Sequence, residues 1–427
     1  MAENKTKKKK KSKKKIHLLP SKGYAVVFLL MAAVAVAFLA MMTVVNAFPT
    51  DMVMTIIAVL FALLIVAWIL LCRRSRFLRI IGLFVAILTI AVYGMGTYYL
   101  ANTYAMFSRI SSTENTERTG SGADLTEEAF NIYLTGIDQW NKERGYDLER
   151  SDVNMIVTVS PKVKKVVLTS IPRDTYVPLH RTGTMDKLTH TGIYGVDETL
   201  NTVEDWLGIK LDYYVKTNFS GVRDVIDAMG GVDVYSPVAF ESSISNYTYE
   251  KGWNHCNGKK ALFFARERKA FEGKDSIRVE NQQRVVEAML NKLTTSPALL
   301  TKYGDIMNAA GSSLETNLST DDLQSLVRMQ LEDLGAWDIQ TQKIEGDYDM
   351  DYVASLTQEQ KFQIYRPKEK SVQKCLDKIE EVSNPTEEEL AVIEENKKRT
   401  SLIKFVNGIL HRDGEEAATE EAAAEGE

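Results

Sequence analysis

The chain has 427 residues and a net charge of −5, with room for one large globular domain plus appendages. Residues 1–100 carry 14 Lys and Arg against two acidic residues, about +12, which leaves about −17 for the remainder and argues against nucleic acid as its partner. Three cysteines with no CxxC pair exclude a disulfide framework, and five histidines with no HExxH, together with the lack of a GxSxG, argue against a zinc enzyme or serine hydrolase.

A lysine run, Lys5 to Lys15, comes first, followed by three apolar stretches: Tyr24 to Phe48, Met52 to Cys72 and Phe77 to Leu100. Each reaches the roughly 20 residues needed to cross a bilayer as a helix. The first is too long for a cleaved signal sequence, and three adjacent spans argue against reading the lysines as a nucleic-acid-binding arm. The link Asn46 to Asp51 has no Lys or Arg, whereas Arg73, Arg74, Arg76 and Arg79 separate the second and third stretches. The positive-inside rule then puts the basic tail, 1–23, and the arginine link in the cytoplasm. Three transmembrane helices within 24–100 deliver the rest outside, so the protein is expected to be a multi-pass cell-membrane protein.

A polar linker, 101–128, leads into alternating strands and helices, which predict an α/β fold: a single extracytoplasmic domain, 129–345, with a central mixed β-sheet flanked by helices. Strands are expected at Phe130–Ile137, Val153–Val159 and Val163–Ile171, the last two joined by a turn at Ser160-Pro161-Lys162. Helices are expected at Gly195–Leu207 and at Ser220–Met229, the second ended by Gly230-Gly231. The strand VDVYSPV and a Ser/Asn/Tyr-rich loop to about Asn257 follow. Next come a strand at Leu262–Arg268 and a helix from near Ser276 to Leu293. Further helices are expected near Asp321–Leu334 and Thr386–Glu395. Residues 346–412 read as a helical extension, and 413–427 as an acidic disordered tail.

Two polar clusters stand out. Pairing across the Pro161 turn sets residue 152 opposite 172–173, which brings Asp138, Arg150, Asp152 and Arg173 to one end of one sheet. Paired carboxylates without histidine suit a hard cation such as Mg2+, and arginines suit the phosphate oxygens it would share. A ring of strand-end salt bridges would show the same pattern. The second cluster lies in ALFFARERKAFEGKDSIRVENQQ, where a strand would send Arg266 and Arg268 out of one face. A helix would align Arg278 and Gln282 with Val285 and Met289, turning an arginine toward the core, as a bound anion would require. By contrast, GWNHCNGKK is not a Walker A loop, having five residues between its glycines and no Ser or Thr after the lysine. Cys256 and Cys375 both fall in the part expected outside, where a bridge would persist, so they either pair or remain two free thiols.

The ordered motifs GID, RSD, SIPRDTYV, DKLTH, YYVKTNFSGVRDVIDAMGGVDV and ALFFARERKAF…DSIRVENQQ resemble the LytR–CpsA–Psr family over about Phe130 to Leu293. The three-span anchor is similar to its CpsA-like branch. The resemblance implies an enzyme that moves a glycopolymer, such as a teichoic acid or capsular polysaccharide, from an undecaprenyl-pyrophosphate carrier onto peptidoglycan as a phosphodiester. It further implies Mg2+ (or Mn2+) on Asp138 and Asp152, with the pyrophosphate gripped by Arg150, Arg173, Arg266, Arg268 and Arg278. Gln282 would hydrogen-bond beside them, Lys187 of DKLTH would add a basic group, and Asp275 matches the acidic position ahead of the last arginine. Lys274-Asp275-Ser276 stands where the family often has Gly-Asp-Phe, and His190 with TGIYG stands where Asn-His-Ala-like sequences are common. Walls for the lipid are sought among Val222, Val225, Ile226, Leu262, Phe264 and Leu290, each of which also reads as ordinary core. The rival functions are a pyrophosphatase at the same site and a non-catalytic module that binds wall polymer or lipid.

Overall fold

The computed structural model describes residues 20–110, 120, 122, 124–137, 150–271, 275–295, 302–311, 313–332, 336–356 and 358–395. Helices α1 (Lys22–Val45), α2 (Thr50–Leu71) and α3 (Arg76–Ile110) take up the three apolar stretches, each long and apolar enough to cross a membrane. Large side chains such as Leu29, Phe61 and Phe77 point outward, while Met31, Leu60 and Leu71 are buried alongside Ala35, Ala67 and Ala86. Phe28 meets Trp68, and Phe38 meets Tyr93, edge to face at 4.8 and 4.9 Å. Residues 323–333 group with these helices, and the rest of the chain from residue 109 on forms a second unit.

The second unit opens with β1 (Phe130–Ile137), β2 (Ser151–Ser160) and β3 (Lys165–Ser170), where alternation and the Pro161 turn predict them. There follow β4 (Tyr176–Pro178), β5 (Met185–Lys187), α4 (Leu188–Thr191), α5 (Val196–Leu207), β6 (Tyr213–Asn218) and α6 (Phe219–Ala228). Gly230 and Gly231, at φ 81° and 90°, end α6 in a conformation that favours glycine. Next are β7 (Val232–Ser236), β8 (Phe240–Glu241), β9 (Thr248–Tyr249), β10 (Gly252–Cys256), α7 (Gly258–Arg266) and α8 (Asp275–Thr295). The chain continues through α9 (Tyr303–Gly311), β11 (Leu314–Thr316), α10 (Thr320–Glu332), β12 (Asp338–Lys343), β13 (Gly346–Asp351), β14 (Phe362–Pro367) and α11 (Glu369–Ser383). A helix at 387–395 ends the described chain.

Six strands form the central sheet, in the order β11-β6-β1-β2-β3-β12. β1 runs parallel to β6, and β3 to β12, while the other neighbours are antiparallel, so the sheet is mixed as expected. Tyr133, Ile156 and Tyr214 lie side by side in register and share one face. Against them pack Val196, Leu200, Val203 and Leu207 of α5, with Cys375 and Ile379 of α11, in one buried core. Helix α8 runs along β3 and β12, where Gln283 Nε2 donates to the carbonyls of Leu168 and Gln342.

Three expectations are corrected. Leu262–Arg268 is not a strand: Asn257 caps α7 by accepting from Lys260 N, and Ala261 and Phe264, three residues apart, are buried on one side of the helix. The Ser/Asn/Tyr-rich loop holds β8, β9 and β10, with β10 paired along the whole of β7. Residues after 345 begin with a hairpin, β13 paired to β14, before α11 joins the core. Of the two alternatives left open for Cys256 and Cys375, the structure has free thiols, buried on different elements, and burial pushes each up to about 11.

Candidate functional site

Strand directions gather one end of the sheet. Ile137 closes β1 beside Asn218 of β6 and Ser151 of β2, and Ser170 closes β3 beside Lys343 of β12. Asp152 and Arg173 therefore meet here, as the hairpin register requires: Arg173 Nη1 lies 2.6 Å from Asp152 Oδ1. The same guanidinium reaches Asp174 Oδ2 through Nε at 3.5 Å, and Lys187 Nζ lies 3.2 Å from Asp174 Oδ1. Asp152, Arg173, Asp174 and Lys187 thus form one chain of alternating charge, each partly exposed. Beside Ser151, the buried Arg150 Nε has no hydrogen-bond partner among the described residues. A cation whose donor is buried this way has capacity left for an anion.

Helix α7 brings the next arginine to this end. Gly258 lies so close to α6 that an added Cβ would meet Arg223 O at 2.1 Å, and its N–H donates to Asp227 Oδ1 at 2.7 Å. That seating carries Arg266, the last residue of α7, over the ring of Phe219 at 5.1 Å. Phe219 directly follows Asn218, so Arg266 stands at the same sheet end. Arg268 lies two residues further on, beyond the fully buried Glu267. Glu267 accepts from Ser242 Oγ, Ser243 N and Oγ, and the N–H groups of Arg268, Lys269 and Ala270, all within 2.6–3.2 Å. Burial pushes its carboxyl up, but the bonds from Ser243, Ser242 and the backbone outweigh this and hold it below the usual range.

The first turns of α8 are fixed to the sheet end by Lys343, whose Nζ donates to Ser276 Oγ at 2.8 Å and Glu280 Oε1 at 2.5 Å. Arg278 and Gln282 face inward with Val285, at 5%, 9% and 3% exposure, as their spacing predicts. Asp275 opens α8, and Asp138 lies outside the described residues. His190 is buried, with Nδ1 2.7 Å from Asp186 Oδ1 and 2.8 Å from Ser355 Oγ, a structural knot as expected of it. Asp186 Oδ1 also accepts from Lys187 N, so this knot fixes the lysine backbone. Among the proposed lipid-groove residues, Ile226 and Phe264 are fully buried core and Val225 nearly so, whereas Val222, Leu262 and Leu290 are partly exposed.

Sequence reading missed Asp174, Glu267 and Lys343. Asp174 was visible as the residue after Arg173 in SIPRD, and Glu267 as a carboxylate between two arginines. Lys343 carried no signal, because polar DIQTQK does not alternate like a strand.

Residues 97–381 match the LytR_cpsA_psr family, and the chain belongs to that family. The match includes α11, in keeping with its place in the core. A polyisoprenyl-teichoic acid–peptidoglycan teichoic acid transferase, TagU of Bacillus licheniformis, is 32% identical over 279 residues, 63% of this chain and 83% of that protein. TagU of Bacillus subtilis is 32% identical over 276 residues with the same coverage. Of solved structures, B. subtilis TagV is 29% identical with TM-score 0.51, covering 61% of this chain and all of that one. Protein gbs0355 of Streptococcus agalactiae is 25% identical with TM-score 0.52, covering 63% and 92%.

Proposed function

We propose that this protein is a membrane-anchored phosphotransferase, attaching a glycopolymer from a polyprenyl-pyrophosphate carrier to peptidoglycan outside the membrane. The observation that carries the reading is the sheet end itself: a run of Asp152, Arg173, Asp174 and Lys187, flanked by Arg150, Arg266 and the inward-turned Arg278. Relatives named as teichoic acid–peptidoglycan transferases support the substrate class. The arginine link between α2 and α3 supports an outward-facing domain.

Among the described residues no group of three or more His, Cys, Asp or Glu side chains is placed to hold a metal. The chemistry of the donor set still fits Mg2+, which is commonly held by one or two carboxylates together with substrate phosphates. Asp152 and Asp138 would be those carboxylates, and the ion would supply charge neutralisation on the pyrophosphate.

The residues themselves account for the rest of the transfer. Arg173, bridging two carboxylates, presents its fork in a fixed orientation, and Arg150 and Arg266 add charge around the phosphates. These groups stabilise charge on the leaving polyprenyl phosphate; arginines in such a role contribute about 10³–10⁵ in rate. A peptidoglycan hydroxyl oxygen forms the new bond to the sugar-linked phosphorus as the bridging P–O bond breaks. The hydroxyl proton passes to a carboxylate, Asp138 or Asp275, a contribution of about 10²–10⁴.

The test uses the purified full chain with a synthetic polyprenyl-pyrophosphate disaccharide and peptidoglycan oligomers, with Mg2+ or EDTA. Glycan on peptidoglycan that depends on Mg2+ and is lost in Arg266→Ala is the expected result. Free glycan with released polyprenyl phosphate would instead establish a pyrophosphatase. Tight lipid binding without turnover would leave a binding module.

A further inference from the structure

Hairpin β13–β14 presents an exposed aromatic row that the phosphate site does not use. The two-residue period puts Tyr348, Met350 and Tyr352 on one face, at 46%, 51% and 43% exposure. Register sets the exposed Gln363 opposite Met350, on the same face. Lys361 Nζ stands 5.5 Å from the Tyr352 ring centre. Such a cluster of large exposed side chains on a small ribbon marks an interaction surface.

The row is continuous with the charged cluster. Tyr365 of β14 bridges to Thr175, and its N–H donates to Asp174 O at 2.8 Å. The Tyr176 hydroxyl donates to Tyr352 O at 2.7 Å. One backbone segment, Arg173 to Tyr176, therefore carries the phosphate-gripping guanidinium and anchors the aromatic hairpin.

We infer that this face is a saccharide platform that seats the acceptor glycan strand next to the phosphoryl-transfer site. Tyrosines suit that occupant because each offers a flat apolar ring and a hydrogen-bonding tip, matching the C–H face and hydroxyl edge of a pyranose. Gln363 and Lys361 supply donors for N-acetyl carbonyls. Tyr348 on β13 and Tyr352, one residue past its end, are four residues apart and at strand rise span about 13 Å, long enough for a short oligosaccharide. Charge also favours a polar neutral chain: on the strands, Asp347, Asp349 and Asp351 are already satisfied by Lys368 and Arg366. The inference rests on the transferase reading for which glycan it serves, but binding is measurable without turnover.

The experiment titrates the full chain in nanodiscs with a β-1,4-linked N-acetylglucosamine hexamer by calorimetry. Saturable binding that weakens about tenfold or more in the double variant Tyr348→Ala/Tyr352→Ala, and stays within about threefold in Tyr348→Phe/Tyr352→Phe, is expected. In the transfer assay the alanine pair raises the acceptor KM by about the same factor and leaves the donor KM unchanged. Hexamer binding that needs the tyrosines, in a protein with no transfer activity, would uphold the platform and sink the transferase instead. No binding by the wild type, or equal binding by the alanine pair, overturns the inference.

Discussion

Glu267→Gln is the sharpest test of how the two arginines are held. The carboxylate is fully buried and takes four hydrogen bonds at Oε1 and two at Oε2. Glutamine can leave its carbonyl at the Oε1 position, but its NH2 then faces Ser243 N–H, donor against donor. The Ser242 hydroxyl can rotate to accept, whereas Ser243 N cannot, and an orphaned buried donor costs about 1–3 kcal/mol. The four bonds at Oε1 lose their charge, and bonds to charged groups contribute roughly 1.5–3 kcal/mol against about 1 for neutral ones. Together these give a loss of at least about 3 kcal/mol. Because the network closes the turn between Arg266 and Arg268, the variant should also misplace both guanidinia. A shift of about 1 Å in such a group can cost 10²-fold in rate. Urea denaturation of the unit carrying the sheet, followed by tryptophan fluorescence, reads the stability, and single-turnover transfer reads the rate. An unchanged midpoint with wild-type turnover would refute the argument that Glu267 positions the arginines.

Arg173→Lys keeps the charge but cannot span Asp152 and Asp174 together, so transfer should fall about 10²-fold or more while donor affinity changes far less; equal losses in both would show the residue serves binding only. Acid should unfold the domain below about pH 4: Asp186 and Glu267 hold folded carboxyls below the usual range, so their stabilisation is complete above the unfolded pKa near 4 and is lost as pH falls through the lower folded values. For Asp186, burial pushes the carboxyl up, and bonds from His190, Lys187 N–H and Ser355 outweigh it. The acid limb should be shallower in Glu267→Gln, and an identical limb in fluorescence-monitored pH titration would count against that assignment. Cys256 and Cys375, with thiols pushed up to about 11, should resist iodoacetamide in the folded protein and both react after denaturation; a mass two hydrogens short of the dithiol would contradict this.

The legible parts of the fold were those where one local pattern had one solution. The Pro161 turn between alternating strands fixed the β2–β3 register, and with it the meeting of Asp152 and Arg173. Arg278 and Gln282 were placed correctly because a helical stripe ending in Val285 leaves them one direction to face. ALFFARER misled because a short apolar run suits strand and helix alike, and the deciding Asn257 cap lies outside it. β12 was illegible because DIQTQK has one apolar residue, Ile339, and none of its six residues is buried, so no face demanded alternation. Membership of the LytR_cpsA_psr family was readable from motif order, since the motifs fall at strand ends and helix starts that converge in space.

The parallel pairing of β12 with β3 joins residues more than 170 positions apart, Asp338 with Lys165. Ribosomes deliver chains from the N-terminus, so β1 to β3 emerge long before the strand and helix that complete their sheet and core. Until α11 is made, the core face bearing Tyr133, Ile156 and Tyr214 lacks Cys375 and Ile379 and stays partly uncovered. The sheet end that sets Asp152 and Arg173 beside Lys343 is thus completed only once β12 has been made, late in the domain. Non-local closure of this kind is slow, which makes the interval between synthesis of β1 and completion of the sheet a property of the topology.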